Sequence, residues 1–417
     1  MLEDTGYRYG PSPRRRGSGN MLTHALTAIL GAALAVGLLL AFYNPGSGGS
    51  GISLPGSGAV PAPGSASGPL TGGEQATVTR VKPGLVIINT ALQYNSEAAA
   101  GTGMVVNAAG LVLTNNHVIE GSTSITGTVV STGKTYPATV VGYDKTGDIA
   151  LIQLRNASGL ATVPIGNSSS VKTGDAVVAM GNAEGQGAIT TKPGHVTALN
   201  QSITASDEGG STASETLAGM IQTNADIVPG DSGGPLASSA GVIGIDTAGN
   251  DANDQQAATG FAIPVNTALS VARQIAGGRA SSTITIGYPP FMGIFTGSGS
   301  SSNPQTQAQQ QDNGSSGSGS TPACYTSNAD LAVPSAIAPV SSGILIVGTI
   351  CGSPAASAGL TGGAVITAVD GHAVGSPNDL ASTLSRFHPG DTITVTWVSP
   401  SGHRTTSSLN LAAGPPQ

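Results

Sequence analysis

Pro229-Gly230-Asp231-Ser232-Gly233-Gly234-Pro235-Leu236-Ala237 is the stretch through which the rest of the chain can be read. It places a hydroxyl on a tight, glycine-rich turn just ahead of an apolar run. The glycines let the main chain approach a bound carbonyl closely, because no Cβ stands in the way. In such a turn the N–H groups of Gly230 and Ser232 can converge on one point and stabilise an oxyanion there. Pro229 has no N–H and a fixed φ, which stiffens the entry. A serine so placed becomes a nucleophile only with a general base within hydrogen-bond reach and a carboxylate to orient that base.

Elimination supplies both. Between residues 76 and 278 the chain has two histidines, His117 and His195. His195 follows Lys192-Pro193-Gly194 and reads as a solvated turn residue. His117 closes Leu111-Val112-Leu113-Thr114-Asn115-Asn116-His117-Val118, and a histidine at a strand end can project into a cleft. Asp148 opens Asp148-Ile149-Ala150-Leu151, a carboxylate at the mouth of a buried strand. Asp144, in Gly142-Tyr143-Asp144-Lys145, reads as a solvated turn residue. The chain order His117, Asp148, Ser232 is that of chymotrypsin-type sites and differs from that of subtilisins and α/β-hydrolases.

The surroundings suit such a site. At 417 residues the chain has room for two folded domains. Only 9% of residues are charged and 3% aromatic, with 62 glycines, a composition of short strands and many turns. Runs such as Leu85-Val86-Ile87-Ile88, Met104-Val105-Val106, Ala176-Val177-Val178-Ala179 and Val242-Ile243-Gly244-Ile245 recur at turn-punctuated intervals, so the expected fold class is mainly β. One helix is expected over residues 265–276, ending at Gly277-Gly278. A formal charge of −7 excludes nucleic acid as a main partner. With two cysteines and six scattered histidines, neither a metal nor a cofactor is expected.

Residues 21–43 form an apolar run of 23 residues, enough to span about 30 Å of bilayer at roughly 1.5 Å per residue. Arg14-Arg15-Arg16 precedes it, and the next basic residue is Arg80. That asymmetry predicts a single-pass anchor with residues 1–20 cytoplasmic and the remainder extracytoplasmic; the alternative is a cleaved signal peptide. Residues 44–75 read as a Gly/Ser/Pro-rich stalk, 76–278 as the first folded domain and 283–414 as the second, interrupted by a low-complexity insert at 297–321. Cys324 and Cys351 would then face a compartment where disulfides persist, and a bridge between them is expected.

Three segments resemble the signature segments of the HtrA/DegP-type serine proteases: Thr114-Asn115-Asn116-His117-Val118, Asp148-Ile149-Ala150-Leu151, and Thr223-Asn224-Ala225-Asp226-Ile227-Val228-Pro229-Gly230-Asp231-Ser232-Gly233-Gly234-Pro235-Leu236. Gly101-Thr102-Gly103, Gly241-Val242-Ile243-Gly244-Ile245 and Gly260-Phe261-Ala262-Ile263-Pro264 also fit that family. The resemblance implies two six-stranded β-barrels with a His117-Asp148-Ser232 triad between them, and an α+β PDZ domain at the C-terminal end. It implies unfolded or damaged polypeptides as substrates and a homotrimer as the assembly. Phe291-Met292-Gly293-Ile294 resembles the PDZ loop whose amides hold a peptide's C-terminal carboxylate. The segment from Gly348 to Leu360 also fits. Gly363-Ala364 departs from the usual Gly-Asp, and the insert just after the carboxylate loop bears on access to the groove.

Two residues near the nucleophile have their own readings. Asp231 is expected to make local hydrogen bonds, because the chain has no Ile-Val-Gly-Gly start to supply an activating amine. Asp226, six residues before Ser232, falls where a chymotrypsin-type pocket has its floor. It either selects basic residues there or points away and leaves an aliphatic pocket, with Ile227 and Ile245 as further candidates. Two rival functions stay open on sequence alone: a peptide-binding scaffold that keeps the protease fold, and an esterase using the same serine.

Overall fold

Two rings of antiparallel strands hold the candidate residues. The computed structural model describes residues 69–92, 94, 97–206, 214–247, 259–297, 301–311, 323–328 and 331–417. The expected cytoplasmic tail, anchor and most of the stalk lie outside the described residues, as do 298–300 and 312–321 of the insert. No helix among the described residues is long and apolar enough to cross a membrane.

The chain enters through α1 (Gly72–Val81), which crosses the boundary expected between the stalk and the first folded domain at 75/76 and is a helix not anticipated from the sequence. Its start is a capping box: Thr71 accepts from the Glu74 amide, and the Glu74 carboxylate accepts from the Thr71 amide. The first ring comprises β1 (Leu85–Leu92), β2 (Glu97–Asn107), β3 (Leu111–Thr114), β4 (Ser124–Val129), β5 (Thr135–Asp144) and β6 (Ile149–Leu154). They run β5-β4-β1-β2-β3-β6, and β5 also pairs with β6, which closes the ring. The second is a closed barrel of β7 (Ala176–Gly181), β8 (Thr190–Ser206), β9 (Ser214–Thr223), β10 (Pro235–Ser238), β11 (Gly241–Thr247) and β12 (Gly260–Pro264), in the order β10-β11-β12-β9-β8-β7.

Alternation explains why these strands read as continuous apolar runs. Val86, Val112 and Ile152 fill the first ring, while their neighbours Leu85, Leu113 and Leu151 point outward into a core shared with Met180, Ile245 and Val265. Each such side chain taken fully out of water contributes roughly 1.5–3 kcal/mol. Helix α2 (Val265–Ala276) has the bounds read from sequence and buries Val265, Ala268, Ala272 and Ile275 against that core. Strand β13 (Ile284–Ile286) then adds to β5.

The remaining chain forms a separate sheet. Its strands are β14 (Pro290–Phe291), β15 (Ile294–Thr296), β16 (Ile344–Thr349), β17 (Val365–Val369), β18 (His372–Ala373), β19 (Thr392–Val398), β20 (Arg404–Asn410) and β21 (Ala412–Ala413). The sheet order is β15-β16-β17-β19-β20; β18 pairs with β17, and β14 with β21. Three helices accompany them: α3 (Pro304–Gln311), α4 (Pro354–Ser357) and α5 (Pro377–Leu384). Helix α3 lies inside the stretch read as low-complexity. Buried Gln307 anchors it by donating to Ser301 O (2.7 Å) and Gly343 O (2.9 Å) and accepting from Leu345 N (2.7 Å). Ala308 packs with Leu345, Val365 and Val398, on the face opposite Met292, Ile344, Ile346 and Leu380. A disulfide joins Cys324 to Cys351 across 27 residues and fastens the chain beyond the insert to the end of β16.

One buried side chain connects the rings. Thr102, on β2, donates its hydroxyl to Gly230 O (2.9 Å) and accepts from Asn182 N (2.8 Å). Its own amide donates to Ser232 O (2.9 Å), and its carbonyl accepts from Thr114 Oγ1 (2.7 Å). Thr102→Val keeps the shape and removes the hydroxyl, leaving Gly230 O and Asn182 N unpaired in the interior. The expected cost is about 1–3 kcal/mol of stability, together with a fall in kcat. Denaturant unfolding with parallel kinetics checks it, and unchanged stability would show that the hydroxyl is idle.

Candidate active site

His117 lies three residues beyond β3, whose pairing with β6 brings it beside Asp148. The His117 amide donates to Asp148 Oδ1 (3.0 Å), and Nδ1 of the ring sits 3.1 Å from Oδ1 and 2.9 Å from Oδ2. A carboxylate only accepts, so Nδ1 carries the proton and Nε2 is left with the lone pair. The imidazole is half-buried and the Asp148 carboxylate is buried.

Asp148 has φ +50, in the left-handed region that few residues besides glycine, Asn and Asp enter readily. The conformation is over-determined. Asp148 N donates to Lys145 O (3.1 Å), its carbonyl accepts from Asn115 Nδ2 (2.8 Å), and its carboxylate is held by His117. Asn115 Nδ2 also reaches Thr247 Oγ1 (3.3 Å), at the end of β11 in the second barrel. Asp144, read as solvated, is buried, and its Oδ1 accepts from Gly147 N (3.2 Å) to shape the turn leading into Asp148.

Ser232 is buried on the turn between β9 and β10. Gly230 (φ +91) and Gly233 (φ +81) occupy the left-handed region, and a Cβ on Gly233 would collide with Thr102 O and Thr114 Oγ1. Side chains are thus excluded at both positions by conformation and by space. Amides on and after the turn are tied down: Asp231 N donates to Val228 O (3.0 Å), Gly233 N to Asp246 O (2.8 Å) and Gly234 N to Asp231 O (2.8 Å). Asp231 Oδ2 accepts the expected local bond from Val228 N (3.0 Å) and, unanticipated, an ion-paired bond from Lys192 Nζ on β8 (2.8 Å).

The remaining candidates divide. Asp226 is exposed, which a carboxylate at the floor of an enclosed slot is not; the turn Ala225-Asp226-Ile227 points it into solvent. Ile227 packs inside the second barrel and Ile245 in the core shared by both. His195 is exposed as read, but it lies within β8, paired with Ala176, rather than in a turn. Pro193 paired with Val178 in the middle of that strand produced the misreading. Thr102, Thr114, Asn115 and Thr247 went unassigned in the sequence, because hydroxyl and amide residues in strands carry no pattern of their own. Phe291, Met292, Gly293 and Ile294 lie in the C-terminal sheet, where Met292 O accepts from Ala355 N (2.9 Å) and Gly293 O from Ile350 N (2.9 Å) and Ser353 Oγ (3.1 Å).

A family model of the trypsin-like peptidase domain matches residues 101–245, a span that takes in Thr102, His117, Asp148, Ser232 and Asp231. The serine protease PepD of Mycobacterium tuberculosis is 32% identical over 413 residues, covering 91% of this chain and 77% of that protein. The Do-like serine protease HtrA of Lactococcus lactis subsp. cremoris is 32% identical over 334 residues, covering 78% of this chain and 72% of that protein. Among solved structures, the HtrA-type protease AlgW with tripeptide is 26% identical, covering 82% of this chain and 98% of that one, at a TM-score of 0.42. With similarity sustained along most of both curated proteins and a peptidase-domain match over the site just described, this chain belongs to the HtrA family of trypsin-like serine proteases.

Proposed function

We propose that this serine endopeptidase uses Ser232 as nucleophile, His117 as general base and Asp148 as the group that orients it. The observation that carries the reading is the grip of Asp148 on His117 through Nδ1 and the main-chain amide together. It fixes the tautomer in which Nε2 can take the Ser232 proton as Oγ attacks the scissile carbonyl. The same nitrogen then protonates the leaving amine, and water repeats the sequence on the acyl-enzyme. We assign the oxyanion contacts to the amides of Gly230 and Ser232, which alternate with the amides already tied within the turn.

The reading extends to the rest of the chain. Residues 21–43 anchor the enzyme, the folded part works outside the cytoplasm, and unfolded or damaged polypeptides are its substrates, acted on by a homotrimer. The C-terminal sheet serves as a PDZ domain for peptide C-termini. In its support, β15 is an edge strand, and Gly293 O is turned inward onto Ile350 N and Ser353 Oγ. Across a trans peptide the Ile294 N–H then faces the open edge, where an added peptide strand would bind. The described part of the insert packs on the opposite face through Ala308.

Mapping of cleavage sites in an unfolded protein by mass spectrometry tests the triad. Ser232→Ala should lower kcat on the order of 10⁶-fold, and Asp148→Asn on the order of 10⁴-fold through the wrong tautomer. Full cutting by either variant would remove the assignment. A hydrophobic peptide with a free C-terminal carboxylate should bind the ectodomain, whereas its C-terminal amide should bind at least about tenfold more weakly. Equal binding of the two would remove the PDZ role.

A further inference from the structure

Asp246 stands directly behind the nucleophile turn, and the proposed mechanism gives it no part. Its main chain is bonded to that turn in both directions: Asp246 N donates to Gly234 O (2.7 Å), and Asp246 O accepts from Gly233 N (2.8 Å). Its side chain is completely buried; the Met180 main chain is the one polar group that favours its charged form by hydrogen bonding, and among the described residues no side chain bonds either carboxyl oxygen. Nearby Asp231 is buried too, with Oδ2 on Lys192 Nζ and Oδ1 unpartnered.

The charges do not balance if both acids are ionised. The flanking strands β10 and β12, and β7 beside them, carry no titratable side chain. Helices α1 and α2, which also pack on β11, bring Glu74, Arg80 and Arg273; both arginines are exposed and Glu74 is half-buried. That leaves Asp231 and Lys192 as the charges acting on Asp246, and Lys192 is already engaged by Asp231. A second, unpaired anion in this interior would carry its full desolvation penalty. We propose that Asp246 works as an uncharged acid and that in this form it is the positioning residue of the Ser232 turn. Burial first, and then the Asp231 charge, hold its carboxyl well above the ordinary carboxylate range. Gaining a charge would set Asp246 against Asp231 and disturb the strand to which Gly233 and Gly234 are bonded.

Asp246→Asn is the neutral isostere and separates an acid from a carboxylate. The sign follows from linkage. A carboxyl whose native value is raised stabilises the fold fully below its unfolded-state value of 3.8, and that contribution is lost as pH rises towards the native value. Thermal unfolding of the full chain, wild type and variant, from about pH 4 to about pH 9 should therefore show a gap in Tm in favour of the variant that widens with pH. A constant or narrowing gap, or a variant that does not fold, overturns the uncharged state. For the positioning role, peptide hydrolysis over the same range should show wild-type kcat falling about tenfold or more on the alkaline side at constant KM, with no such fall in the variant. The same alkaline profile in both proteins overturns that role. The inference about positioning rests on the triad reading; the unfolding gap needs no substrate and is judged apart from it.

Discussion

The hydroxyl of Thr102 joins three pieces of backbone that have to be in register before any chemistry can occur. It bonds Gly230 of the nucleophile turn and Asn182 at the end of β7, while its main chain holds Ser232 and Thr114. Thr114 is the last residue of the strand that leads to His117. Ser232 and His117, the proposed nucleophile and base, are therefore linked from opposite barrels through one residue of 0% exposure. Each of these bonds is worth only about 1 kcal/mol net. Their value here is geometric, since a shift of the Thr102 strand moves both halves of the site at once.

The polar interior beneath the site has two different solutions to the cost of burying charge. Around His117, the Asp148 carboxylate is satisfied by the ring and an amide, and its left-handed backbone is held by Asn115 and Lys145. Asn115 then passes the connection to Thr247 in the other barrel. Beneath Ser232, Asp231 is paired with the ammonium of Lys192. Asp246 is left with no counter-charge, and the fold tolerates it by keeping it neutral. The nucleophile turn is thus braced by an ion pair on one side and an uncharged acid on the other.

The three residues proposed for the chemistry stand out in the sequence because each combines a reactive side chain with a local pattern. The glycines around Ser232, the strand before His117 and the strand after Asp148 all survive in one dimension. Helix α2 was legible down to its ends for the same reason: apolar spacing and a Gly-Gly stop. What the sequence hid was long-range satisfaction of polar groups. Gln307 looks like linker composition until its amide is seen spanning Ser301, Gly343 and Leu345. Asp144 looks like a turn residue at the surface until the turn folds over it. Lys192-Pro193-Gly194 looks like a break, yet the strand runs through it and delivers Lys192 to Asp231. Helix α1 begins at a Thr71/Glu74 capping box, a signal that glycine-rich composition around it obscures in the sequence.

The account stands or falls on Ser232 being activated within the chain as folded, with no proteolytic maturation. Treatment of the full uncleaved chain with a fluorophosphonate probe, followed by intact-mass and peptide mapping, tests this most directly. A single adduct on Ser232, formed on uncleaved chain and absent from the His117→Ala protein, is the result predicted. Failure of the uncleaved chain to react, or an adduct on another residue, would contradict it.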